Sequence, residues 1–183
     1  MIISHKLNVI FIKTKKVAGT SFEIALSKYC GESDIITPIS NDDEQIRKDM
    51  GYICAQNYEN SEWNIPNLRF IESEPFYNHM DALSIKNLIP LDIWDNYLKI
   101  SIARDPCEVI LSRYFYDHPK GLISFRDYVY SCSDEILSEN ENITHINGIN
   151  VIDYMIKYDN LQQDICLIEK KINAPGLYQT FTR

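Results

Sequence analysis

Val9-Ile10-Phe11-Ile12-Lys13-Thr14-Lys15-Lys16-Val17-Ala18-Gly19-Thr20-Ser21-Phe22-Glu23 is the stretch from which the fold is read. Val9 to Ile12 are apolar and strand-favouring. They run into a basic turn, a small-residue corner and then helical spacing at Phe22, Ile24, Ala25, Leu26 and Tyr29. The reading is strand, loop, helix. Such a corner aims the unpaired N–H groups of the first helical turn, and the positive end of the helix dipole, at whatever lies above the sheet edge. Lys13, Lys15 and Lys16 add positive charge, Gly19 admits close approach to the backbone, and Thr20 and Ser21 can cap the helix or donate to an anion. An ordinary capped βα turn with solvated lysines fits the same fifteen residues.

Length and composition narrow the choices. A chain of 183 residues with 45% hydrophobic and 24% charged residues fits one globular domain, 1–183, with a single core. Its apolar runs are about four residues long, against the roughly 18 or more of a membrane span. No signal-peptide pattern opens it, so the expected compartment is the cytoplasm. A net charge of -8 argues against nucleic acid as the main partner. Cys30, Cys54, Cys107, Cys132 and Cys166 are odd in number and widely spaced, signalling neither a disulfide framework nor a zinc site.

Further along, Cys30-Gly31 reads as a helix stop, Asp34 to Ile39 as a short extended piece, and Asn41 to Met50 as a helix with acids in its first turn. Gly51 to Pro75 is irregular and reads as a long surface excursion whose aromatics, Tyr52, Tyr58, Trp63 and Phe70, cover the core or contact a ligand. Asp81 is the expected N-cap of a helix over Ala82 to Leu88, which puts His79 in the turn before it. After a short helical turn at Leu91 to Asn96, Tyr97 to Ala103 alternates as a strand and hands Arg104-Asp105-Pro106 to a helix, Pro106 at its first position. Ser124 to Val129 has a capping-box-like start, Asp134 to Ser138 is helical, and Asn140 to Asn150 reads as a loop. Val151 to Tyr158 is the last strand, followed by an amphipathic helix through Ile165, Ile168 and Ile172. This alternation predicts an α/β fold with a mainly parallel central sheet flanked by helices. Both charged corners fall at strand C-terminal ends, where open α/β sheets bind ligands.

Lys16-Val17-Ala18-Gly19-Thr20-Ser21 resembles the 5′-phosphosulfate loop of sulfotransferases that use 3′-phosphoadenosine 5′-phosphosulfate (PAPS), with Lys15 and Val17 in place of the usual Pro and first Thr. Arg104, Asp105, Pro106, Ser112 and Tyr114 resemble that family's 3′-phosphate motif, with Val109 for its second Arg. Tyr158-Asp159-Asn160-Leu161 is similar to a further family segment. The resemblance implies a P-loop-like architecture, most like the carbohydrate sulfotransferases. It implies PAPS as sulfuryl donor, held by Lys16, Ala18, Gly19, Thr20, Ser21, Arg104 and Ser112, with no metal required. Lys16 and His79 are then the catalytic pair, His79 taking the proton of an acceptor hydroxyl with an imidazole pKa near neutrality. Asp81 and Glu74 are the next candidates for that base. Relatives carry a cofactor-covering segment near the C-terminus, part of which is expected to be missing before Arg183. The acceptor is a small molecule or a carbohydrate. A non-catalytic nucleotide-binding domain of the same fold is the alternative, as is an atypical nucleotide-dependent kinase, although the Walker-type Gly-x-x-x-x-Gly-Lys-Ser/Thr is absent.

Overall fold

The chain enters through a hairpin. β1 (Ile2–Ser4) turns through residues 5–8 into β2 (Val9–Phe11), pairing antiparallel with Ile3 opposite Ile10. So short a connection permits only the antiparallel arrangement. In the computed structural model, which describes residues 1–59, 76–119 and 121–181, β2 leads into α1 (Gly19–Ser27), β3 (Ile35–Ile36) and α2 (Asn41–Asp49). Next come α3 (Ala82–Leu88), α4 (Leu91–Asn96), β4 (Leu98–Ala103), α5 (Pro106–Asp117), α6 (Phe125–Ser131) and α7 (Asp134–Thr144). A small hairpin, β5 (His145–Ile146) with β6 (Ile149–Asn150), precedes β7 (Tyr154–Lys157), a 3-10 turn at Tyr158–Asn160, α8 (Leu161–Lys171) and α9 (Leu177–Thr180).

The main sheet has the order β3-β1-β2-β4-β7. β2–β4 and β4–β7 are parallel, β1–β2 and β1–β3 antiparallel. The fold is therefore α/β with a mixed five-stranded sheet flanked by helices, and the expectation of a mainly parallel sheet is corrected by the N-terminal hairpin. Strand alternation sends Ile2, Val9, Phe11, Ile100, Ile102 and Ile156 to one face, against α1, α8 and α9. Ile3, Ile10, Ile12 and Ile35 go to the other, against α3, α4 and Ile143 of α7. Phe11 packs on Phe22 at a ring separation of 4.8 Å, which docks α1 on β2. In α8, Leu161, Ile165 and Ile168, with Ile172 just past its end, form the buried stripe that the sequence spacing predicts.

Several boundaries differ from the sequence expectations. α1 begins at Gly19 and ends at Ser27, and Gly31 is not left-handed, so it is no helix stop. The stretch read as a loop over 140–150 is helical to Thr144 and then a hairpin, whose turn residues Asn147 (φ 52) and Gly148 (φ 75) supply the positive φ that a two-residue hairpin loop needs. The last strand is shorter than read, Tyr154–Lys157; just before it, Asp153 donates its N–H to the Lys99 carbonyl at 2.9 Å and pairs its carboxylate with the Lys99 ammonium at 2.9 Å. Trp63, Phe70 and Glu74 lie outside the described residues. Among the described residues no helix is long and apolar enough to cross a membrane.

Candidate functional site

β2, β4 and β7 run in parallel and end at one edge, delivering the loop 13–18, Arg104 and Tyr158 side by side. The loop is bound to its neighbour strand by the Thr14 hydroxyl, which donates to the Ile102 carbonyl at 2.6 Å in a buried setting. Lys16 (φ 61) and Ala18 (φ 63) are left-handed, and Ala18 occupies the N-cap of α1 with no side-chain cap. Of the two roles open to Thr20 and Ser21, capping the helix or donating to an anion, capping is not the one taken by either residue. Both lie inside the first turn, and their hydroxyls have no partner among the described residues. The first helical bond runs from Phe22 N–H to the Ala18 carbonyl, leaving the N–H groups of Gly19, Thr20 and Ser21 without a helical acceptor.

The three lysines part company. Lys13 is 1% exposed and dives beneath the loop, its Nζ 2.8 Å from Oε2 of Glu23. A Cβ added at Gly19 would sit 3.0 Å from Lys13 Cγ and 3.4 Å from Lys13 Cε. A side chain at position 19 would thus crowd the Lys13 stem as well as the approach of a ligand. Glu23, fully buried, also receives the Met1 ammonium at 2.9 Å and stands 3.6 Å from Arg47. Burial alone would raise the Glu23 carboxyl, but Met1 and Lys13 outweigh it and hold it down to about 2. Lys15 is neutralised by Glu139 of α7, which also takes Arg113 at 2.5 Å. Lys16 alone keeps its ammonium at the loop mouth, over the Tyr116 ring at 3.9 Å; burial lowers its pKa and Asp117 works against that shift.

Arg104 faces the same space. Its guanidinium lies 4.1 Å over the Tyr158 ring, its Nε donates to Glu108 at 2.9 Å and its Nη1 to the Lys16 carbonyl at 3.2 Å. His79 stands in the turn before α3, left-handed at φ 62, with Asp81 capping the helix through the Ser84 N–H at 2.9 Å. That engagement, with a second bond from the Ser84 hydroxyl at 2.6 Å, occupies Asp81. The His79 Nδ1–H donates to the Lys13 carbonyl at 3.0 Å, which can only accept, so the neutral ring carries its lone pair on Nε2. Burial, reinforced by the Lys13 charge, pushes the imidazole down to about 4. The expectation of a pKa near neutrality is corrected accordingly.

Lys16, Ala18, Gly19, Thr20, Ser21, His79, Arg104 and Ser112 all line one open cavity of about 670 Å³. The residues expected to hold the cofactor and the expected catalytic pair are thereby brought together, while the fallback base Asp81 does not line this cavity. Sequence reading did not find Tyr116, which carries the Lys16 ammonium, or Asn78, Ser40 and Asp43 in the lining, and it marked Tyr158 only as part of a flanking segment, not as the ring beneath Arg104. Of the seven left-handed residues other than glycine among those described, four are asparagines, which tolerate the conformation. The other three are Lys16, Ala18 and His79, all on this cavity. Backbone strain of about 1–3 kcal/mol per residue is thus concentrated on one cavity, as it commonly is at sites that bind or react. Val17 and Val109 are explained by packing. Val17 is 1% exposed within the core, and Val109 packs against it, so neither aims a side chain at the cavity. Among the described residues no three His, Cys, Asp or Glu side chains are grouped as metal ligands would be.

No known family profile matches the chain, and no solved structure matches it. A protein of Archaeoglobus fulgidus, described as uncharacterized, is 31% identical over 101 residues, a match covering 52% of this chain and 84% of that protein. The chain belongs to the family of that archaeal protein.

Proposed function

We propose that this protein is a sulfotransferase of P-loop-like architecture that moves a sulfuryl group from PAPS to a hydroxyl of a carbohydrate-like acceptor. The observation that carries the reading is the convergence of two strand-to-helix anion motifs and His79 on a single cavity. The donor set suits a nucleotide with anionic groups at two ends. The N–H groups and hydroxyls of Gly19 to Ser21, the Lys16 ammonium, the Arg104 guanidinium and the Ser112 hydroxyl all line the one cavity. When bound, PAPS supplies a sulfuryl group activated by its phosphate leaving group.

The residues then have divided tasks. Lys16 and the start of α1 hold negative charge, as transfer of this kind asks mainly for positioning and electrostatic stabilisation. Tyr158 fixes the guanidinium plane of Arg104, and Ser112 adds a donor from α5. His79, held by its Nδ1–H, presents Nε2 to take the proton of an acceptor hydroxyl.

Calorimetry with adenosine 3′,5′-bisphosphate tests the reading. Wild type should bind, and Lys16→Ala and Arg104→Ala should each lose about 1.5–3 kcal/mol, the range for a charge-assisted contact. Unchanged affinity in both variants would refute the assignment. An acceptor screen follows; binding with no turnover on any acceptor assigns a nucleotide-binding domain, and turnover requiring Mg²⁺ and ATP assigns a kinase.

A further inference from the structure

The loop carrying Lys16 is tied residue by residue to different elements. Thr14 is bonded to β4, and the Lys16 carbonyl accepts from Arg104. Between them, Lys15 is gripped by Asn140 of α7: the Asn140 Oδ1 accepts the Lys15 N–H at 2.7 Å, and its Nδ2 donates to the Lys15 carbonyl at 2.9 Å. Only one orientation of the amide satisfies both bonds. α7 contributes no residue to the cavity lining, and the Asn140 side chain makes these two bonds and no others among the described residues.

We infer that Asn140 is a positioning residue for anion binding, holding the loop in the left-handed shape that exposes Lys16 and the start of α1. The argument rests on the proposed site. Lys16 directly follows the gripped residue and sits at φ 61, which residues with a Cβ disfavour. Released from Asn140, the loop gains other conformations, and the apparent dissociation constant rises by the reciprocal of the competent fraction. The neighbouring Glu139 has a different task. It takes Lys15 and Arg113 by their side chains, so its loss leaves the backbone grip intact.

The test compares wild type, Asn140→Ala and Glu139→Gln in the full chain, with adenosine 3′,5′-bisphosphate by calorimetry, amide hydrogen exchange at Lys15 and Lys16, and thermal melting. Alanine favours the helix, so α7 is not weakened by propensity. Asn140→Ala should bind roughly tenfold more weakly, from the loss of two hydrogen bonds, and lose protection at the Lys15 amide. Glu139→Gln should keep both affinity and protection. Equal affinity in Asn140→Ala and wild type overturns the inference, and so does a loss in Glu139→Gln as large as in Asn140→Ala, which would point to α7 docking in general. If wild type binds no bisphosphate, the proposed function fails. Exchange then decides the grip alone: unchanged protection at Lys15 in Asn140→Ala overturns it.

Discussion

Glu23→Gln is the substitution whose cost the geometry predicts most directly. The carboxylate is fully buried, with the Met1 ammonium at 2.9 Å, Lys13 Nζ at 2.8 Å and Arg47 Nη2 at 3.6 Å, and the Lys13 and Arg47 side chains are at most 2% exposed. Glutamine keeps the shape and removes the charge, leaving the buried Lys13 ammonium without its carboxylate, while Arg47 keeps Glu44 at 2.9 Å. Removing one partner of a buried pair costs about 3–5 kcal/mol. Linkage gives the same scale: a carboxyl held at about 2 in the fold against 4.5 unfolded is worth about 3 kcal/mol. For a domain of this size each kcal/mol moves the melting temperature by about 2–4 °C, so a fall of about 6–20 °C is expected. Because the folded pKa is depressed, this stability is complete above pH 4.5 and lost as pH falls from 4.5 toward 2. Urea denaturation of both proteins at pH 7 and pH 3 reads the effect. A difference under about 1 kcal/mol at pH 7, or one that does not narrow at pH 3, would refute the reasoning.

Gly19→Ala should destabilise by about 1–3 kcal/mol through overpacking, since the new Cβ meets Lys13 Cγ at 3.0 Å; chemical denaturation showing no loss would mean that the Lys13 stem gives way. His79→Ala should retain bisphosphate binding while turnover per folded molecule drops by about 10²- to 10⁴-fold, checked by steady-state kinetics on the first acceptor found. With the His79 imidazole depressed to about 4, the wild-type rate should hold through mildly acidic pH and fall only as pH approaches 4. Stability also declines across the interval from 6.5 to about 4, because the unfolded chain protonates first, so rates are normalised to the folded fraction. A rate already halved near pH 6.5 in fully folded protein would contradict the burial of His79.

The local signals that were strong in the sequence concern residues whose chemistry is decided by their neighbours in the chain. Asp81 and Ser124 cap the helices their spacing announces, accepting from Ser84 and Asp127 N–H at 2.9 and 3.1 Å. Pro106 sits in the first turn of α5, and the Ile165, Ile168, Ile172 stripe is buried as its period demands. What could not be read depends on distant partners. Lys13, Lys15 and Lys16 are equivalent as letters, yet one is buried on Glu23, one spent on Glu139 and one left at the cavity mouth. β1 escaped notice because three residues carry too little pattern, although its pairing makes the sheet mixed. The Asn147-Gly148 pair did carry a hairpin signal, hidden by the polar residues around it.

The strand order also dictates when the site comes into existence. The β1–β2 hairpin needs only its own first residues, whereas β2 acquires its other neighbour when Phe11 meets Ile100, and β4 is completed only when Ile100 meets Tyr154. Contacts so far apart in the chain carry a large loop-closure cost and form late. During synthesis the Val9–Phe11 edge therefore emerges long before its parallel partner, an unpaired apolar edge of the kind that recruits other chains. Arg104 and Tyr158 ride on the late-pairing strands. A chain stalled at the hairpin stage would expose its basic loop without Arg104 and Tyr158 beside it, so the proposed site and the sheet are completed together.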